Sequence, residues 1–150
     1  MPDIEIYTDG SCHTQKCVGA WIAIILVDEK KIVLSETENN TTHNRMELVA
    51  VIKALEYVSA HYKKVCSITI VSDSQYVIGL NSRKEKLIGQ NFNTATGKEI
   101  RNIALVKEFF FLSGCVRFVK IKAHQKKTSI INYNIEADVL VRKIMRETLK

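Results

Sequence analysis

Ile4-Glu-Ile-Tyr-Thr-Asp-Gly-Ser11 decides how the rest of this chain is read. Its alternating apolar residues predict a strand over Ile4–Thr8, and Asp9-Gly10 predicts a sharp exit into a small-residue turn. A carboxylate at a strand tip can face an open crevice and ligate a hard cation. Asp-Gly is also one of the commonest turn pairs, so the motif takes its meaning from its company. Three later acids supply that company: Glu47, Asp73 and Asp138 stand in segments able to fold back onto the tip.

Working outward, Val18–Val27 predicts a long apolar strand and Lys31–Thr37 its return, an antiparallel meander with the first strand. The polar cluster at residues 39–44 then leads into a helix over Arg45–Tyr57, where Met46, Val49, Ala50, Lys53, Ala54 and Tyr57 recur at helical spacing. Ser67–Ser72 is a β-branched run ending at Asp73-Ser74, with Ser74 placed to cap a helix over Gln75–Leu80. A basic, aliphatic-poor stretch over Asn81–Gly97 is expected to project from the body. A helix over Lys98–Leu112 buries Ile100, Ile103, Ala104, Val106 and the Phe109–Phe111 run. A strand over Val116–Ile121, a mobile loop over His124–Asn132 and an amphipathic helix over Asn134–Leu149 complete the chain. The order βββ-α-β-α-α-β-α implies an α/β fold: one mixed five-stranded sheet, meander plus parallel strands, flanked by helices. The helical crossover requires the first and fourth strands to be parallel neighbours. Asp9 and Asp73 are then side by side at carboxyl ends, where such sheets bind ligands.

A chain of 150 residues with 46% hydrophobic content and a mean hydropathy of −0.04 reads as one soluble domain, residues 1–150. The N-terminus lacks a basic region followed by an apolar one, and the longest apolar run, Ala20–Val27, is too short to span a bilayer. A cytoplasmic, membrane-free, monomeric protein is expected. Among four cysteines, Cys66 and Cys115 open apolar runs and are expected in the core, while Cys12 and Cys17 flank a turn where a reversible disulfide is conceivable. There is no CxxC pair to suggest zinc. Residues 81–127 hold eleven Lys/Arg against three Glu, a net of +8, which leaves −2 for the rest of a chain of formal charge +6. Positive charge gathered beside an acidic cluster points to a polyanionic ligand, although a solvated basic face has the same composition.

Four carboxylates around one crevice repel one another, and divalent cations relieve that repulsion. Magnesium takes oxygen ligands and bridges carboxylates to phosphates. Two such ions about 4 Å apart can activate a water and stabilise the leaving oxygen of an in-line phosphoryl displacement. Each acid alone is more simply a helix cap or a surface charge; four motifs in one order argue otherwise.

Tyr7-Thr-Asp-Gly-Ser11, Asn44-Arg-Met-Glu-Leu48, Ser72-Asp-Ser-Gln-Tyr76 and Asn134-Ile-Glu-Ala-Asp138 together resemble the four catalytic blocks of type 1 ribonuclease H, in family order, from Ile4 to about Arg142. The resemblance implies the ribonuclease H-like fold and an endoribonuclease that cuts the RNA strand of RNA/DNA hybrids. It also implies 5′-phosphate and 3′-hydroxyl ends and two Mg²⁺ ions, with Mn²⁺ able to substitute. Asp9, Glu47, Asp73 and Asp138 match the metal-binding acids, and His124 matches a histidine that assists proton transfer or product release. Ser11, Thr42, His43, Asn44, Gln75 and Asn102 match substrate-binding positions. Asn44 falls in the block that reaches the hybrid's minor groove. Thr42, with the stretch Thr94–Asn102, resembles a pocket for a DNA phosphate. The projecting basic segment, about residues 81–102, would meet DNA.

Three departures stand out. The projection holds no tryptophan and only Phe92 as an aromatic; Cys12-His-Thr-Gln-Lys-Cys17 replaces a glycine-rich turn; and the stretch from His124 to Asp138 is longer than usual. Rival nucleases of the same fold fit less well. Proofreading-type exonucleases carry Asp-x-Glu where this chain has Asp9-Gly-Ser11, and transposase-like relatives carry glutamate where it has Asp138. A non-catalytic hybrid-binding module would normally have lost a metal ligand, and all four acids are present.

Overall fold

The apolar run at 18–27 becomes β2 (Val18–Val27), which pairs antiparallel with β1 (Asp3–His13) on one side and β3 (Lys30–Asn39) on the other. The structure is a computed structural model and describes residues 1–121 and 132–150. Next come α1 (His43–His61), β4 (Ser67–Ser72), α2 (Gln75–Ser82) and α3 (Lys84–Gly89). Then follow α4 (Ile103–Leu112), β5 (Val116–Lys120) and α5 (Tyr133–Thr148). The sheet order is β3-β2-β1-β4-β5, with β4 parallel to both β1 and β5. This is the expected mixed five-stranded sheet flanked by helices, including the parallel β1–β4 neighbours. Among the described residues no helix is long and apolar enough to cross a membrane.

β2 is apolar throughout because both of its faces are covered. Trp21, Ala23, Ile25 and Val27 join Ile4, Ile6 and Ile70 under α1 and α4, in one core that includes the fully buried Phe109. Ala20, Ile22 and Ile24 meet Ala137, Val141 and Met145 of α5 on the opposite face. α1 is buried continuously from Met46 to Ile52, because the sheet lies on one side and α2 and α4 on others. Truncating Phe109 to Ala would cost about 3–5 kcal/mol.

Four differences from the sequence reading bear on function. β1 does not end at Asp9 but runs to His13, so Asp9 and Gly10 pair with Ile22 and Trp21 inside the strand. Gly10 is not a turn residue. A Cβ there would lie 2.6 Å from the Glu47 backbone nitrogen and 2.7 Å from the Met46 carbonyl carbon, so the missing side chain is what lets α1 rest on β1.

The projecting stretch contains the extra helix α3, anchored by buried Leu87. Its aromatic, Phe92, turns inward onto Phe110, with Lys107 over its ring. α4 begins only at Ile103, and Ala104 and Phe111 are exposed, the latter by 87%; helical rotation buries Phe109 and Phe110 and sends Phe111 outward. Cys66 and Cys115 are exposed rather than core residues, because each precedes its strand in a connecting segment. Cys12 and Cys17 are free thiols, donating to the carbonyl oxygens of Thr41 and Thr14, each at 3.5 Å.

Candidate active site

Parallel pairing of β1 with β4 ends at Tyr7 and Val71. β4 then turns at Ser72-Asp73 into α2, whereas β1 continues. Asp9 and Asp73, each two residues past the last pair, therefore stand beside each other. Ser72 Oγ accepts from the Ser74 N–H at 3.0 Å, and Ser74 Oγ caps α2 by accepting from Val77 N–H at 3.1 Å, so this exit has a defined geometry. α1 brings Glu47 over Gly10. Carboxylate oxygens of Asp9, Glu47 and Asp73 all lie within 4.8 Å of one another. Asp138, on α5, lines the same groove of about 460 Å³ but stands outside that tight trio, and its carboxylate is held by Arg142 at 2.6 Å.

The electrostatics follow from burial. Asp9 is only 8% exposed, and its pKa is pushed up to about 7, chiefly by desolvation and then by the Asp73 charge. The Gly10 N–H, donating at 2.9 Å, works against that rise, while Asp138 and Glu47 add to it. Glu47, equally buried, meets His43 Nε2 at 2.5 Å, and this bond raises the imidazole pKa. Burial and the neighbouring carboxylates thus hold Asp9 protonated well above its ordinary range. An all-oxygen donor set of that kind suits a hard divalent cation, and these three residues could hold one.

A second groove, of about 890 Å³, adjoins the first, and His43, Asn44 and Tyr76 wall both. Its far side carries Arg83, Lys98, Arg101 and Asn102. Thr42 enters it from the N-cap of α1, where its hydroxyl accepts from the Arg45 N–H at 3.2 Å. Asn102 adopts a left-handed backbone (φ 58°), which Asn tolerates, and its amide donates to the Tyr76 hydroxyl at 3.3 Å.

Of the residues singled out in the sequence, Ser11, His43, Asn44 and Gln75 line the acidic groove, and Thr42, Asn44 and Asn102 the basic one. His124, and the loop expected around it, lie outside the described residues, apart from Asn132, whose side chain caps α5. Three residues escaped the sequence reading. Tyr76 closes the third motif, in which the sequence alone gives it no role. Arg142 had a signal, its i,i+4 spacing from Asp138. Arg83 is one of several basic residues in its stretch, and nothing in the sequence separates it from Lys84. The structure does separate them: Lys84 turns away, donating to the Phe110 carbonyl at 3.2 Å in the last turn of α4.

Comparison with known proteins adds relatives. The profile of the RNase H family matches residues 1–146. The ribonuclease H of Caldicellulosiruptor saccharolyticus is 35% identical over 153 residues, covering 98% of this chain and 99% of that protein. That of Acetivibrio thermocellus is 34% identical over 144 residues, covering 93% and 92%. Among solved structures, LC9-RNase H1, described as a type 1 RNase H with the type 2 active-site motif, matches with a TM-score of 0.79. That likeness covers 95% of this chain and 72% of the other at 20% identity, and concerns the fold.

Proposed function

The chain belongs to the RNase H family, and on that footing we propose that it is a metal-dependent endoribonuclease acting on the RNA strand of RNA/DNA hybrids. The observation that carries the reading is the close trio of Asp9, Glu47 and Asp73 beside a groove bearing Arg83, Lys98 and Arg101. Asp9, Glu47 and Asp73, with Asp138 on the same wall, would hold Mg²⁺, for which two ions are proposed, with Mn²⁺ able to substitute. When bound, the ions supply Lewis acidity and charge neutralisation for an in-line displacement at phosphorus.

The chain's own residues do the rest. Asn44 and His43, which line both grooves, would read the minor groove of an A-like hybrid, where 2′-hydroxyls distinguish RNA from DNA. Ser11 and Gln75, beside the acidic trio, would contact the RNA strand near the bond to be cut. Thr42 and Asn102 would seat a phosphate of the DNA strand, with Lys98 and Arg101 supplying positive charge. Hydrolysis breaks the P–O3′ bond: water oxygen stays on the new 5′-phosphate, and the leaving oxygen takes up a proton to become a 3′-hydroxyl. His124 is proposed to assist that proton transfer or product release. Residues 1–150 would act as one monomeric domain in the cytoplasm, with residues 81–102 as the basic segment toward the DNA strand.

Labelled RNA/DNA hybrid, duplex RNA and duplex DNA, each incubated with Mg²⁺ and with excess EDTA, test this. Internal cuts in hybrid RNA that require Mg²⁺ are expected. Undiminished cleavage in EDTA, or equal activity on duplex DNA, would refute it.

A further inference from the structure

We propose that His43 is a positioning residue that holds the Glu47 carboxylate in place for the metal and so ties the metal site to the substrate groove; this rests on the metal-binding reading above. His43 is the first residue of α1 and Glu47 lies four residues on, so the two side chains share one face of the helix. His43 Nε2 stands 2.5 Å from Glu47 Oε1, a short contact for a buried acid. The Glu47 side chain is 9% exposed and that of His43 58%, so the pair joins a buried ligand to an accessible ring.

A glutamate has three side-chain torsions to fix before its oxygen can serve a metal. Gly10 fixes the Glu47 backbone by letting α1 sit against β1. The backbone contact leaves the carboxylate free to rotate, and a donor on one of its oxygens removes that freedom. The His43 ring supplies the donor. A carboxylate oxygen of Glu47 then stays within 4.8 Å of those of Asp9 and Asp73. Outer partners of this kind typically govern metal affinity by about 10–100-fold. Because His43 also walls the basic groove, a hybrid lying there would press on the residue that orients Glu47.

The test uses His43→Ala and His43→Gln, with Asp9→Asn as reference. Mg²⁺ dissociation constants are measured by calorimetry without nucleic acid, and KM for hybrid and the Mg²⁺ concentration giving half-maximal rate are measured separately. His43→Ala is expected to weaken Mg²⁺ binding by about 10–100-fold. The half-maximal Mg²⁺ concentration should rise in step. His43→Gln should recover most of the affinity, since its amide N–H can donate to the same oxygen. Unchanged or tighter Mg²⁺ binding in His43→Ala, with loss in Asp9→Asn, overturns the positioning role, and a raised KM would then mark His43 as a substrate contact alone. Unchanged Mg²⁺ binding in Asp9→Asn as well overturns the metal reading and this inference together.

Discussion

Asp9 carries a large electrostatic strain. Its pKa, near 3.8 in an unfolded chain, is about 7 in the fold, because burial and the Asp73 charge both disfavour its ionised form. The folded state therefore binds more protons than the unfolded one between those values. The stability associated with Asp9 is complete below about pH 4 and is lost as pH rises through about 7. Asp9→Asn removes that dependence at nearly constant volume. In EDTA, urea melts should show the variant gaining on the wild type from about pH 4 to 7, with a constant advantage above. A difference that does not vary with pH would mean that the charge cluster is not what destabilises the metal-free protein. On hybrid substrate the same variant should lose at least about 10²-fold in kcat, the usual loss for one preorganised electrostatic group. Near wild-type turnover at saturating Mg²⁺ would show the acid to be misassigned.

At the scale of elements, the site depends on α1 lying directly on β1. Gly10→Ala places a methyl group 2.6 Å from backbone that cannot rotate away, so the helix must shift. A destabilisation of about 1–3 kcal/mol is expected, with reduced turnover because Glu47 moves with the helix. Gly79→Ala provides the contrast. It lies in α2 with nothing within 4 Å of the added carbon, and should be neutral or stabilising by up to about 1 kcal/mol. Thermal melts of the two variants check both statements; equal effects would contradict the packing role of Gly10. The α3–α4 contact makes a similar distinction among lysines. Lys84→Ala removes a donor from the last turn of α4 and should cost about 0.5–1.5 kcal/mol, leaving the salt dependence of hybrid binding unaltered.

Over the whole molecule, charge is segregated: an acidic crevice under the sheet's carboxyl ends adjoins a groove with Arg83, Lys98 and Arg101 on its wall. If that groove carries a nucleic-acid backbone, each lost phosphate contact should lower the slope of log K against log salt by about 0.7–0.9. Lys98→Ala with Arg101→Ala is therefore expected to raise KM and flatten the slope. Titrations at low and moderate salt read this directly. An unchanged slope would make the groove a solvated surface. Phe92 packs against Phe110, so any affinity of this groove for nucleic acid is expected to rest mainly on charge and polar contacts.

Much of this protein follows from local preference. The apolar residues at 18–27 read as a long strand, the hydroxyl of Ser74 marks a helix start, and the helical crossover dictates the β1–β4 parallel pair. The types of residue in the candidate site are equally legible, since oxygen donors recur in four motifs. Tertiary structure decided what depends on where a neighbour stops. β4 ends before β1 does, so Asp9 reaches Asp73 from mid-strand rather than from a tip. Gly10 and Glu47 are joined by a helix resting on a strand, a contact that no periodicity records. Asp138 stands outside the tight trio because α5 approaches from the other face of the sheet, and Lys84 and Arg83 part company because Arg83 sits at the α2–α3 junction on the groove while Lys84 opens α3 and reaches α4. A sequence states what each residue prefers locally; which groups share a site is set by nonlocal packing, and that is visible only in the assembled fold.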